Sequence, residues 1–175
     1  MTNSNLEEFM KKALIEASQS SRVKLVELGL DLAQPIFDCN SGTVKDYFIN
    51  FKNIGEVKTW ILEYRNLRSR GIKLEFVILD KSTSAFIGMV AMDELHTETA
   101  VIRMWISSAF QKQGYAKEAC GYIITSFKNL YPTKSIIYTV ETKNIASLNL
   151  AKSLGFVFTK NFVDEDGLDS VELVI

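Results

Sequence analysis

Apolar residues along this chain recur first at helical spacing and later at alternate positions, and the change of period divides it into elements. Leu6, Phe9, Met10, Ala13 and Ala17 share one helical face, and Ser4-Asn5-Leu6-Glu7 has the form of a capping box at its start. Ser18-Gln19-Ser20-Ser21 ends that helix as a hinge. From Val23 to Phe37 the apolar positions change period and Pro35 interrupts them, so helix and strand both stay open. Thr43 to Lys52 and Glu56 to Arg70 read as helices. The second places Val57, Trp60, Ile61, Tyr64 and Leu67 on one face and stops at Gly71.

The pattern then turns to strands. Lys73 to Leu79, Ala85 to Leu95 and Thr99 to Ser107 are strands, the first pair joined by the polar turn Asp80-Lys81-Ser82-Thr83-Ser84. Such short connections predict antiparallel meander pairing. A helix running to about Asn129 carries Ala116, Ala119, Cys120, Ile123, Ile124 and Phe127 inward, and Tyr131-Pro132 breaks it. Ser135 to Val140 is the next strand. It lies parallel to Val101–Ile106, with the intervening helix as crossover. Asn144 caps a short helix through Leu154, ended by Gly155. Phe156 to Val163 and Leu168 to Ile175 flank the hairpin turn Asp164-Glu165-Asp166-Gly167. The sum is a mixed α/β (α+β) domain: a mostly antiparallel sheet with one parallel pair and flanking helices.

At 175 residues the chain reads as one compact unit, residues 1–40 forming a helical extension or first layer and residues 41–175 the main domain. The charge is nearly balanced, 20 basic against 21 acidic residues, which leaves no footprint for nucleic acid. No basic cluster suits an anionic membrane, and no apolar run is long enough to span one. The first residues do not resemble a secretion signal. Of the two cysteines, Cys120 falls on an inward helical face as a buried thiol. These features place the protein in the cytoplasm. No cysteine/histidine cluster has metal-ligand spacing, so no metal is expected.

Candidate chemistry gathers where the Val101–Ile106 strand meets its helix, at Gln111-Lys112-Gln113-Gly114-Tyr115-Ala116. A helix start offers unpaired N–H groups and the positive end of a dipole, and both attract phosphate oxygens. Gly114 removes the Cβ that would keep a bulky anion away. A plain strand-to-helix turn would also use one glycine. Asn144 and Ser147 stand i, i+3 at a later helix start, so both side chains can face one spot. Both residue types also favour helix starts for capping alone.

Together these segments resemble the GNAT superfamily of acyl-CoA-dependent N-acetyltransferases. The first match runs from Ile106 through Ser107-Ser108-Ala109-Phe110 to the Gln111–Ala116 loop, in the pattern [RQ]-x-x-G-x-[GA]. The second is Asn144-Ile145-Ala146-Ser147-Leu148-Asn149-Leu150-Ala151-Lys152-Ser153-Leu154-Gly155-Phe156. The resemblance covers roughly residues 72–175 and leans toward the ribosomal-protein N-terminal acetyltransferase-like branch. It implies that the parallel strands splay after Ile106 and take the pantetheine arm of acetyl-CoA, the cosubstrate, between them. Residues 111–116 would hold its diphosphate, a backbone N–H near Ile106 would polarise the thioester, Asn144 would meet the arm and Ser147 would lie beside the thiol. Many members carry a tyrosine seven residues after the asparagine to protonate the thiolate. Here Ala151 stands there, and Ser147 is the substitute acid. Lys112 occupies a place where a second glycine is common.

The implied activity is transfer of acetyl from acetyl-CoA to a primary amine, a protein N-terminus or a small amine, by direct attack in a ternary complex. For the base that deprotonates the acceptor, the candidates are Glu94, His96, Glu98 and Glu141. Trp105 and Tyr138 read mainly as core residues. The missing tyrosine keeps a non-catalytic acyl-CoA-binding module as the alternative. Monomer and dimer both stay open.

Overall fold

The computed structural model describes residues 3–39 and 50–175. Most of the helix expected over Thr43 to Lys52 lies outside these residues, and Asn50 to Lys52 at its end are irregular. In chain order the elements are α1 (Asn3–Ser18), β1 (Val23–Glu27), a 3-10 turn (Leu30–Leu32), α2 (Ala33–Cys39), α3 (Ile54–Ser69), β2 (Leu74–Asp80), β3 (Phe86–Asp93) and β4 (Thr99–Ile106). A second 3-10 turn (Ser108–Phe110) leads to α4 (Tyr115–Leu130), β5 (Ser135–Glu141), α5 (Ile145–Ser153), β6 (Val157–Val163) and β7 (Asp169–Val174). The strands form one sheet in the order β1-β2-β3-β4-β5-β7-β6.

Val23 to Phe37 holds a strand, a 3-10 turn and the start of a helix, none long enough to display its period. Pro35 stands in the first turn of α2, where a missing N–H costs nothing. Ser4 lies inside α1 rather than ahead of it. The expected hinge at Ser18–Ser21 is instead pinned. Ser20 is buried, its hydroxyl accepts from the amides of Arg22 (3.0 Å) and Val23 (2.7 Å), and it donates to the Glu118 carboxylate on α4.

Two cores sandwich the sheet. On one face α1 and α4 bury Leu6, Phe9, Ala13, Ile123 and Phe127 against Phe76, Ile78 and Ile102. On the other, Ile36 of α2 and Val57, Trp60 and Ile61 of α3 cover Val77, Met89 and Trp105. Phe9 is fully buried and meets Phe76 and Phe127 edge to face, at 6.0 and 5.4 Å between centroids. Phe9→Ala therefore removes about 3–5 kcal/mol of stability, to be read from the urea midpoint at unchanged m-value.

The sheet is antiparallel except between β4 and β5. Their parallel pairing is brief: Thr99↔Ser135, Ala100↔Ile136 and Val101↔Ile137. The strands part after Val101, earlier than the expected divergence at Ile106. Gly88 is required beside the far end of β4, because a Cβ there would come 2.2 Å from the Trp105 carbonyl oxygen. At the outer edge, β6 leaves Val157, Phe158 and Val163 exposed, and its register against β7 shifts by one residue at Thr159.

Candidate functional site

The loop after β4 holds two left-handed residues in three positions. Lys112 (φ 59°) and Gly114 (φ 86°) are both left-handed. Alternating such residues with right-handed or extended neighbours turns successive N–H groups to one side, forming a nest for an anion. The left-handed backbone at Lys112 explains why glycine suits that place. Gly114, the N-cap of α4, has no side chain to cap it. Two side-chain amides hold carbonyls of the approach: Gln111 Nε2 donates to Ile106 O (3.0 Å) and Gln113 Nε2 to Ala109 O (2.9 Å).

Arg22, unremarked in the sequence, braces this loop from the start of β1. Its guanidinium donates to Gln113 O (3.1 Å), pairs with Glu118 (2.6 Å) and lies 4.7 Å from the Tyr115 ring centroid. The Glu118 carboxylate in turn raises the guanidinium pKa.

Hydrogen-bond alternation fixes what lines the gap between β4 and β5. Ser107 N donates to Ile87 O (2.8 Å), so Gly88 and Ile106 face each other without bonding directly. The main-chain groups of Ile106, and by alternation of Met104, therefore point away from β3 and toward β5. On the far side Thr142 N donates to Asp169 O (2.9 Å), and the same rule turns Thr139 and Glu141 back toward β4. Neither Met104 nor Ile106 has a strand partner on β5.

Beside the gap, the Asn144 side chain caps α5 by accepting from Ser147 N (3.1 Å). The Ser147 hydroxyl is 2.7 Å from the Tyr138 hydroxyl. Tyr138 rises from β5 between Ile136 and Val140, edge-on to Phe156. Burial pushes its pKa up to about 12, with the Ser147 bond opposing, so the phenol stays protonated. Position seven after Asn144 is Ala151, fully buried in the core.

A cleft of about 1130 Å³ runs from this pair across the sheet to β2, lined by Tyr138, Asn144 and Ser147 at one end and by Trp60, Tyr64 and Trp105 at the other. Lys73 contacts Asp93 (2.9 Å) and the Tyr64 hydroxyl (2.7 Å), and Arg103 holds the second Asp93 oxygen (2.9 Å). Next to them Glu75 is 4% exposed. Burial pushes its pKa up to about 8; Lys73 and Arg68 pull it down and Asp93 pushes it up.

A carboxyl raised in this way favours the folded state at acid pH. That advantage declines as pH climbs from the unfolded value near 4.3 to about 8, by about 1.4 kcal/mol per unit. Glu75→Gln removes the slope. Its melting temperature relative to wild type should rise between pH 5 and 8, a trend that calorimetry at several pH values checks.

The expected site residues divide into two groups. Ile106, Gln111, Lys112, Gln113, Gly114, Tyr115 and Ala116 follow one another from the end of β4 into α4, while Asn144 and Ser147 sit at the start of α5 beside the gap. Glu94 is not brought there. It sits exposed on the β3–β4 turn with φ 56°, and neither it, His96 nor Glu98 lines the cleft. Glu141 does line it, paired with Lys143 at 3.0 Å, and so do Trp105 and Tyr138. Glu75 and Arg22 are the residues that sequence reading passed over, and Tyr138, read mainly as core, is buried and lines the cleft as well. A phenol among aliphatics on β5 and a lone carboxylate in an apolar strand were the available signals.

The chain matches the family model of the acetyltransferase (GNAT) domain over residues 22–157. No curated protein matches its sequence. Among solved structures it is similar to RimL, a ribosomal L7/L12 alpha-N-protein acetyltransferase in complex with coenzyme A (TM-score 0.80, 14% identity, covering 89% of this chain and 94% of that one). It is also similar to the microcin C7 self-immunity acetyltransferase MccE in complex with acetyl-CoA and AMP (0.78, 18%, 89% and 93%). A third likeness is to a chimera of the Vibrio cholerae spermidine N-acetyltransferase SpeG and hSSAT (0.72, 20%, 89% and 95%).

Proposed function

Because the chain belongs to the GNAT acetyltransferase family, we propose that it moves an acetyl group from acetyl-CoA to a primary amine by direct attack in a ternary complex. The observation that carries this reading is the parting of β4 from β5 beside the Tyr138–Ser147 pair. Coenzyme A fits what surrounds that gap. The amides of residues 112–116, the α4 dipole and the Lys112 charge suit its diphosphate. Main-chain groups of Met104 and Ile106 suit its amide-bearing arm, as an added strand would. Asn144 spends its carbonyl oxygen on the Ser147 amide, which leaves its –NH2 for a carbonyl of the arm.

Each protein group then has one task. The Ile106 N–H stabilises negative charge on the thioester oxygen. Ser147 donates to the departing sulfur and is itself supplied by the Tyr138 hydroxyl behind it. Glu141, at the edge of the gap, receives the acceptor proton directly or through water, in place of Glu94. Holding both reactants in one cleft supplies most of the acceleration.

The acceptor is a protein N-terminus or a small amine, and the likeness to RimL and SpeG supports both classes. We take the chain as one catalytic unit, since α1 shares the core of β2–β4 and α4. We place it in the cytoplasm: no helix among the described residues is long and apolar enough to cross a membrane, and Cys39 and Cys120 are free thiols.

Thermal melting with acetyl-CoA, CoA and ATP, followed by thiol release over an amine panel, tests this. A shift with both CoA species and none with ATP, together with amine-dependent thiol release, is expected. CoA-induced stabilisation with no release for any amine would make the protein a binder.

A further inference from the structure

The cleft is far more acidic than the chain. Glu75, Asp93 and Glu141 line it along the sheet, and Asp164, Glu165 and Asp166 line it on the β6–β7 hairpin, against Lys73 and Arg103 among the described lining residues. Both cations are engaged by Asp93 at 2.9 Å. Asp164 is committed to its own turn, accepting from the amides of Asp166 (3.1 Å) and Leu168 (2.8 Å) and from the Ser170 hydroxyl (2.9 Å). Glu165 and Asp166 stand exposed at the mouth.

An acidic rim alone specifies nothing, but Glu75 adds a second observation. It is 4% exposed, it lines the cleft, and its Oε1 has no hydrogen-bond partner among the described residues. In register Glu75 faces Ala91, and Ala91 faces Arg103, so only a methyl group fills the floor between them. Leaving a buried carboxyl oxygen unpartnered is costly, and a ligand N–H would remove that cost. The aromatic walls of Trp60 and Trp105 favour an aliphatic cation further, while the Tyr64 ring already carries Lys73 at 3.9 Å.

We infer that the acceptor carries a second positively charged nitrogen besides the one acetylated, and that Glu75 binds it; this rests on the acetyl-transfer reading above. Glu75 is two strands from β4, about 10 Å across the sheet, and Ile106 lies about 10 Å further along β4 than Arg103. Allowing for side-chain reach, the two nitrogens are separated by on the order of 10 Å. A long diamine or triamine spans this, as does a basic side chain near a peptide N-terminus. The groups that set the charge of Glu75 are Lys73 just before its own strand, Asp93 on β3 and Arg68 on α3. A bound cation pulls the proton from Glu75, so affinity tightens as pH rises toward 8, by up to about tenfold per unit.

The test uses 1,8-diaminooctane and octylamine, ammonium ions that stay charged from pH 6 to 8, carry the N–H groups that Glu75 lacks, and are not acetylated when CoA replaces acetyl-CoA. Their binding to the CoA-loaded protein is followed by calorimetry. The bis-cation should bind at least about tenfold tighter, with a margin that widens from pH 6 to 8. Glu75→Gln should cut the margin below about threefold and flatten its pH dependence, with CoA still raising the melting temperature. Glu165→Gln with Asp166→Asn should weaken the bis-cation in a salt-dependent manner and leave the pH slope in place. Equal binding of the two ions by the wild type, or a preference that survives Glu75→Gln, overturns the inference. In turnover, 1,8-diaminooctane against octylamine, and N-terminal peptides with and without lysine, separate a small polyamine from a basic peptide. If no amine is acetylated while Glu75-dependent binding persists, the acetyl-transfer reading fails and the cation site stands.

Discussion

Gly114→Val should weaken acetyl-CoA binding by roughly a hundredfold or more. Two costs add. Valine in the left-handed conformation at φ 86° is strained by about 1–2 kcal/mol. Its side chain also keeps a phosphate from the loop amides, each charge-assisted bond being worth about 1.5–3 kcal/mol. The new Cβ would lie 3.6 Å from Arg22 Nη2, so the protein itself accommodates it without a clash. The variant should melt a few degrees lower and lose most of its CoA-induced shift. Calorimetric titration with acetyl-CoA reads the affinity, and a value within threefold of wild type would remove the loop from CoA binding.

Tyr138→Phe should lower kcat by about thirty- to a hundredfold while the KM for acetyl-CoA changes little. General acids contribute about 10²–10⁴ to rate, and the retained Ser147 hydroxyl keeps part of that. Ser147→Ala should produce a loss of similar size. The double variant should be little worse than either single one, because two hydroxyls 2.7 Å apart act as one relay. Additive losses in that cycle would mean independent roles. Since burial pushes Tyr138 up to about 12, it stays protonated across the working range. Activity should therefore rise with pH as the acceptor deprotonates, with no alkaline fall from Tyr138 below about pH 11.

The sequence announced some parts of this molecule and concealed others for identifiable reasons. Leu6, Phe9, Met10, Ala13 and Ala17 showed the buried face of α1 because five positions at one period admit a single reading. The β2–β4 meander and the parallel β5 followed from short turns and one long crossover. Val23 to Phe37 was opaque because three elements share fifteen residues there. Glu94 drew attention through its place at a strand end, but that end is the one away from the gap. Glu75 escaped, and Tyr138 read mainly as core, because strand alternation gives two faces without saying which one opens on a cleft. The helix-start residues Asn144 and Ser147 were visible locally. Their partnership with Tyr138 is tertiary, and no spacing encodes it.

The additional residue at Thr159 has an effect beyond the active centre. An incoming chain laid against the outer rim of β6 could match residues 160–163 or residues 157–158, but one regular strand cannot suit both, since inside and outside exchange across the insertion. A stretch bearing Val157, Phe158 and Val163 would otherwise template fibrous growth. The irregularity caps such growth at four residues and guards the open border of the sheet.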